Sequence, residues 1–142
     1  MAEPVLTEEL LQRIERSSVP DEFVGFRAFR ERDLAAYLNE KLRESGMRRS
    51  SVIRAAGINE TFGYQIFTGQ RKASRDKVLA LGLALGFDVH DMRVLLNHAG
   101  VADLYCKNRR DAIILFCVGH GMDNARTDAE LFRFGEATIG DG

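Results

Sequence analysis

Residues 49–96, RSSVIRAAGINETFGYQIFTGQRKASRDKVLALGLALGFDVHDMRVLL, decide how the rest of the chain is read. Apolar residues recur there at three- and four-residue spacing, broken by Gly57, by the polar run 68–72 and by Gly86, which predicts short helices around one small core. Ser50 or Ser51 can cap a first helix carrying Val52, Ile53 and Ala56, and Gly57 ends it because glycine accepts positive φ. Asn59 can cap the next helix, through about residue 67, with Phe62, Ile66 and Phe67 inward and Glu60, Thr61, Tyr64 and Gln65 toward solvent. Ser74 can cap a third, whose Val78, Leu79, Leu81, Leu83, Ala84 and Leu85 are core positions, and Val89, Met92, Leu95 and Leu96 mark a fourth that Gly100 closes.

Outward from this centre, Leu34, Ala35, Leu38 and Leu42 form the buried stripe of a helix over about 31–45, stopped by Gly46. Before it, Leu6, Leu10, Leu11 and Ile14 repeat at helical spacing after the candidate cap Thr7, and Ser17, Ser18, Val19 and Pro20 end that helix. Phe23, Phe26 and Phe29 read as an aromatic strap that staples the N-terminal helix onto the body. On the C-terminal side Asn108 can cap a helix over 109–120, whose Ala112, Ile113, Leu115, Phe116 and Cys117 cover an arc too wide for one neighbour. That arc is either internal or a seam between two copies. A last helix over about 124–134 supplies Leu131, Phe132 and Phe134. The expectation is an all-α fold of seven or eight helices: an N-terminal helix and strap over 1–30, a central domain over 31–98, and a helical extension over 101–136 packed on the same body.

With 142 residues, 45% of them hydrophobic, the chain can bury one real core. Its formal net charge is −1, yet residues 47–77 hold seven basic and two acidic side chains, a local +5, between flanks of −3 each. Such a centre offers a positive face while limiting indiscriminate attraction to polyanions. The start MAEPVLTEELL lacks the basic region of a secretory signal, and the apolar run 112–118 is too short for a bilayer, so a cytoplasmic location and no membrane contact are expected. Two cysteines, Cys106 and Cys117, do not make a disulfide framework.

Catalytic and metal patterns are weak. Cys117 and His120 stand three apart with Cys106 eleven residues upstream, but a structural zinc site needs a second tight pair, so one buried thiol, one loop thiol and solvent-facing His90, His98 and His120 are expected instead. Asp76, Asp88, Asp91 and Asp111 sit near helix starts, where capping or the helix dipole accounts for an acid. GLALG has neither the preceding strand nor the third glycine of a dinucleotide fingerprint, and no Ser/His/Asp order stands out. No catalytic residue, metal or cofactor is therefore expected, and a metal-dependent hydrolase is the weakest class considered.

Residues 34–96 resemble a lambda repressor-like helix-turn-helix domain of the Xre type. The resemblance rests on LAAYLNEKLRESGM as first helix, the second helix ending in Ala55-Ala56-Gly57, the helix over 60–67 in the recognition position, the loop TGQRKAS, and the fourth helix RDKVLALGLALGFD. Ala73 stands where that family usually has proline, and Ser50 where it usually has glutamine. What the resemblance implies is a non-enzymatic, sequence-specific regulator of transcription that binds double-stranded DNA, commonly as a homodimer on half-sites about one turn apart. In that frame Arg49, Arg71, Lys72 and Arg75 suit phosphate oxygens, while Thr61, Tyr64, Gln65 and Gln70 are candidates for base edges, Gln65 by bidentate pairing with adenine. Partial core packing is the other reading of Tyr64, and Glu60 is read as favouring the helix dipole rather than meeting cytosine. The alternative function is a helical adaptor that keeps the helix-turn-helix shell and binds a protein partner.

Overall fold

The computed structural model describes residues 7–25 and 32–140, and among them every regular element is helical: eight α-helices, one 3-10 turn and no strand. No helix among these residues is long and apolar enough to cross a membrane. The chain divides into two units, residues 1–31 and 32–142. In the first, α1 (Thr7–Arg16) carries Glu8 and Glu9 in its first turn and Arg13 and Arg16 in its last, the charge order that opposes the helix dipole. It ends where the Ser-Ser-Val-Pro break predicts: the Ser17 hydroxyl donates to the Arg13 carbonyl at 2.7 Å, and a 3-10 turn follows at Pro20–Glu22. None of the described residues of this unit is buried. Of the expected strap, Phe23 is half-buried, and Phe26 and Phe29 lie outside the described residues.

The second unit holds α2 (Leu34–Ser45), α3 (Arg49–Ala55), α4 (Glu60–Phe67), α5 (Arg75–Ala84), α6 (Val89–Ala99), α7 (Arg109–Gly119) and α8 (Asn124–Arg133). Six of these seven helices begin with a side chain that accepts the amide three residues on: Asp33, Asn59, Ser74, Asp88, Asn108 and Asp123. The exception corrects the sequence reading. Ser50 and Ser51 lie inside α3, not before it, because the Arg48 carbonyl already accepts from the Val52 amide at 3.1 Å and starts the helix earlier. Helix α2 likewise begins at Leu34 rather than near residue 31, since the Asp33 carboxylate takes the Ala36 amide at 3.0 Å.

Helix α5 runs through the middle of this unit. Val78, Leu79, Ala80, Leu81, Gly82 and Leu83 are consecutive and all buried, and the helix packs on α3, α6 and α8. Burying a large apolar side chain contributes about 1.5–3 kcal/mol, so the central helix supplies much of the local drive to fold. Gly82 lets α6 come close: a Cβ there would stand 2.5 Å from the sulfur and terminal methyl of Met92. Around it α2 packs on α4 and α6, α3 on α4, and α7 on α8 and α6.

Three expectations about the outer helices need correction. Helix α8 packs through Thr127 and Leu131, four residues apart, which rotates Phe132 and Phe134 off the contact face; they are 79% and 41% exposed. Likewise His98 is half-buried rather than solvent-facing, stacked on Tyr37 at 4.8 Å with its Nδ1 accepting the Asp33 amide at 3.1 Å. Of the arc expected on α7 only Cys117 is buried; Ile113 and Leu115 are half-buried, Ala112 and Phe116 are exposed, Phe116 by 54%, and the buried face runs instead through Asp111, Ile114, Cys117 and Val118.

Asp111 also departs from the capping role expected of it. It is only 6% exposed, and its two oxygens accept from Arg75 Nη1 at 3.0 Å and Nη2 at 2.9 Å, one of them also from the Tyr105 amide. Beside it Asp76 accepts from Arg110 at 3.0 Å, so the Arg-Asp pair opening α5 and the Arg-Asp pair in the first turn of α7 exchange partners. Burial pushes the Asp111 carboxyl upward, but the Arg75 fork, the Tyr105 amide and the charges of Arg75 and Arg110 outweigh it and hold the pKa below its ordinary 3.8. A depressed carboxylate stabilises the fold above its unfolded pKa and loses that contribution as pH falls through the folded value. Urea denaturation of Asp111→Asn at neutral pH should show a loss of about 3 kcal/mol, because the Arg75 charge is left without its counter-charge. The wild-type advantage over this variant should shrink as pH is lowered below about 4; an advantage that stays constant there contradicts the assignment.

Candidate nucleic-acid interface

The surface around α4 is built from the turn that precedes it. Gly57 sits at φ +69° and donates to the Arg54 carbonyl at 2.9 Å, Ile58 donates back to Ile53 at 3.2 Å, and the Asn59 side chain takes the Phe62 amide at 3.2 Å. This short break between α3 and α4 brings Gly63 onto Ile53, with no room for a side chain: a Cβ would lie 2.5 Å from Ile53 Cγ2. Ile66 and Phe67 are buried behind the helix, and Asn39 of α2 fastens its end by donating to the Phe67 carbonyl at 2.8 Å. The sequence reading passed over both Gly63 and Asn39. A glycine inside a helix costs about 1 kcal/mol against alanine, and that penalty is the signal of a close approach; for Asn39 no local signal exists.

On the outer edge, Thr61 and Tyr64 are exposed and Gln65 is half-buried. Arg49 lies across from them, its guanidinium 5.3 Å from the Tyr64 ring and 5.7 Å from the Phe67 ring, with a buried Nε that meets no acceptor. Tyr64 is thus neither core nor bare surface; its ring is a platform for a cation. Past the end of α4, the Gln65 carbonyl accepts the amides of Gln70 at 2.8 Å and Arg71 at 3.1 Å, and the Gln65 side-chain oxygen accepts Arg71 Nε at 2.8 Å. The Arg71 guanidinium lies 5.0 Å from the Phe62 ring, and Lys77 stands 5.2 Å from the same ring. Gln70, Arg71 and Lys72 are exposed.

Arg75 is not part of this edge. Its Nε donates to the Ala102 carbonyl at 2.9 Å and Nη2 to the Asp103 carbonyl at 3.1 Å, in addition to the paired contact with Asp111, so its donors are committed inside the fold. The structure therefore brings together Arg49, Tyr64, Gln65, Gln70, Arg71 and Lys72 around the C-terminal half of α4, with Thr61 one turn back, and leaves Arg75 out.

Charge is distributed unevenly. Lys41, Arg93, Arg109, Arg110 and Arg133 each reach a carboxylate within 4 Å, as Arg75 does. Among the described residues Arg48, Arg49, Arg54, Arg71 and Lys72 form no such pair, nor do Arg16, Arg32, Arg43, Lys107 and Arg126 elsewhere; what sets the α4 edge apart is how Arg49 and Arg71 are held. These two are held by aromatic faces or by a neutral amide, which position a charge without cancelling it.

The residues considered for a metal do not assemble. Cys106 is exposed, Cys117 is buried so that desolvation raises its pKa, and His120 stacks on Phe116 with Nδ1 2.8 Å from that residue's carbonyl. Among the described residues no three of His, Cys, Asp and Glu cluster as a metal site. No family model, curated protein or solved structure matches the chain.

The seat of α4 on α3 is testable through Gly63. Alanine there gains about 1 kcal/mol of helix propensity but overpacks Ile53, which typically costs about 1–3 kcal/mol, so Gly63→Ala should lower stability on balance. In a double-mutant cycle by urea denaturation, Ile53→Ala should absorb much of the Gly63→Ala penalty; strictly additive losses would mean that the two positions do not touch.

Proposed function

We propose that the chain is a non-enzymatic, sequence-specific regulator that binds double-stranded DNA, with α3 and α4 as the two helices of a lambda repressor-like, Xre-type helix-turn-helix and α4 entering the major groove. The observation that carries this reading is that Arg49 and Arg71, on the exposed edge of α4, are ordered by aromatic rings and by the Gln65 amide rather than by a carboxylate, with Arg48, Arg54 and Lys72 of the same stretch of chain also lacking a carboxylate partner among the described residues. A solvated basic face gains nothing from excluding counter-charges, while a face that meets polyphosphate does, because each neutralised phosphate releases counterions.

The division of labour follows from position. Lys72 and Arg48 are exposed cations suited to phosphate oxygens, and Arg49, braced on Tyr64 and Phe67, can meet a phosphate beside the helix. Thr61, Tyr64 and Gln70 present hydroxyl and amide groups toward base edges. Arg75 leaves the set because Asp111 holds it. Two copies on half-sites about one turn apart would enlarge the small footprint of a single α4.

Selection from a random duplex pool, read by sequencing, should enrich one motif. In fluorescence anisotropy Lys72→Ala should weaken the preferred and a scrambled duplex alike and reduce the salt slope by about 0.9 for its lost phosphate contact. No enrichment, together with a Lys72→Ala variant indistinguishable from wild type, would remove DNA from the reading and leave the protein-binding adaptor in its place.

A further inference from the structure

Resting on the DNA-binding reading of this surface, we infer that Arg71 reads a guanine and that Gln65 is its positioning residue rather than a reader of adenine. The geometry ties Arg71 at three points. Its main-chain amide donates to the Gln65 carbonyl at 3.1 Å, its Nε donates to the Gln65 side-chain oxygen at 2.8 Å, and its guanidinium lies 5.0 Å from the Phe62 ring. An arginine on an exposed loop ordinarily samples many rotamers; this one has its plane set before any ligand arrives. What remains are Nη1 and Nη2, which meet no acceptor among the described residues and form the outward edge of the fork.

A fixed planar fork suits one kind of acceptor pair. Guanine offers O6 and N7 in the major groove at the separation two parallel N–H donors need, and Arg–guanine is the commonest specific contact made there. A phosphate asks only for a nearby cation, and Lys72, next in the chain and exposed, supplies one without the cost of immobilisation. The place of the fork agrees: it is tied to Gln65, next in sequence to Tyr64 on the outer edge of α4, so it stands among the side chains that would face bases.

The same contact argues against adenine. Bidentate pairing with adenine needs the Gln65 oxygen to accept from N6 while its amide donates to N7. In this arrangement the oxygen is directed at Arg71, and turning it toward a base would release the Nε proton from its only side-chain acceptor. Gln65 therefore acts through Arg71, and the two residues specify one base pair between them.

The test has a part without DNA and a part with it. In the free protein the Arg71 Nε–H should give a distinct, slowly exchanging NMR signal that is lost in Gln65→Leu and kept in Gln65→Glu, which preserves the acceptor. In the duplex selection, wild type and Gln65→Glu should enrich a motif with guanine at one position, while Gln65→Leu and Arg71→Lys should both lose preference at that same position, by about ten-fold or more, with a much smaller loss on a scrambled duplex. Three results would overturn the assignment while leaving DNA binding intact: a free-protein Nε–H that exchanges as fast as a solvated one, an adenine preference that Gln65→Leu abolishes and Arg71→Lys does not, or an unchanged motif in Arg71→Lys with Arg71→Ala merely lowering the salt slope by about one. If wild type enriches nothing, the DNA reading fails and this assignment falls with it.

Discussion

Arg75 and Asp111 meet in a two-point ion pair that fixes where the central helix begins. Helix α5 is buried along six consecutive residues, so its position is decided by whatever holds its ends. Arg75 at its first position reaches both oxygens of Asp111 and two carbonyls of the loop before α7, Asp76 takes Arg110 from the other side, and Arg93 of α6 fastens the same loop through Asp103 at 2.9 Å. An ion pair of this kind adds little net stability over a well-packed apolar replacement, since desolvation of both partners offsets the attraction. Its effect is on uniqueness: an apolar patch would let the first turn of α7 shift against the start of α5, whereas two exchanged Arg-Asp pairs are satisfied in one arrangement only.

That anchor reaches the outer surface through chain connectivity. The loop from Thr68 to Ser74 spans the end of α4, fastened by Asn39, and the start of α5, fastened by Arg75. Both ends of the segment carrying Gln70, Arg71 and Lys72 are thus held by groups more than twenty residues away in sequence. With the ends fixed, a single hydrogen bond from Arg71 Nε to the Gln65 side-chain oxygen suffices to orient the guanidinium. On a loop with loose ends the same bond would compete against all the rotamers and backbone states of its neighbours.

What could be read from the sequence was local. The Asn59 and Ser74 caps, the Gly57 break, the apolar spacing of α5 and α6 and the all-helical class each follow from residues within one or two turns, and the structure has them where that spacing places them. The long-range pairings were not legible. Arg75 and Asp111 are 36 positions apart, and an arginine in a basic run or an aspartate in a first helical turn looks the same whether it faces solvent or a buried partner. Counting Arg75 among the free cations was the result. Phe132 and Phe134 misled in the opposite direction: apolar residues near a helix end read as packing, but the Thr127–Leu131 face already fills the contact with α7.

The remaining cations show why a net charge is a poor guide to a surface and a list of partners a better one. Of the seven basic residues between positions 47 and 77, Arg75 is neutralised inside the fold, while Arg49 and Arg71 lie on the faces of Tyr64, Phe67 and Phe62. A carboxylate would have held those side chains just as firmly, but it would also have cancelled the field they project. An aromatic ring offers its negative face and lends order, yet the full unit charge persists at the surface. Order without neutralisation is what an anion-binding edge requires, because a partner then meets cations already in place and need not displace a competing carboxylate to reach them.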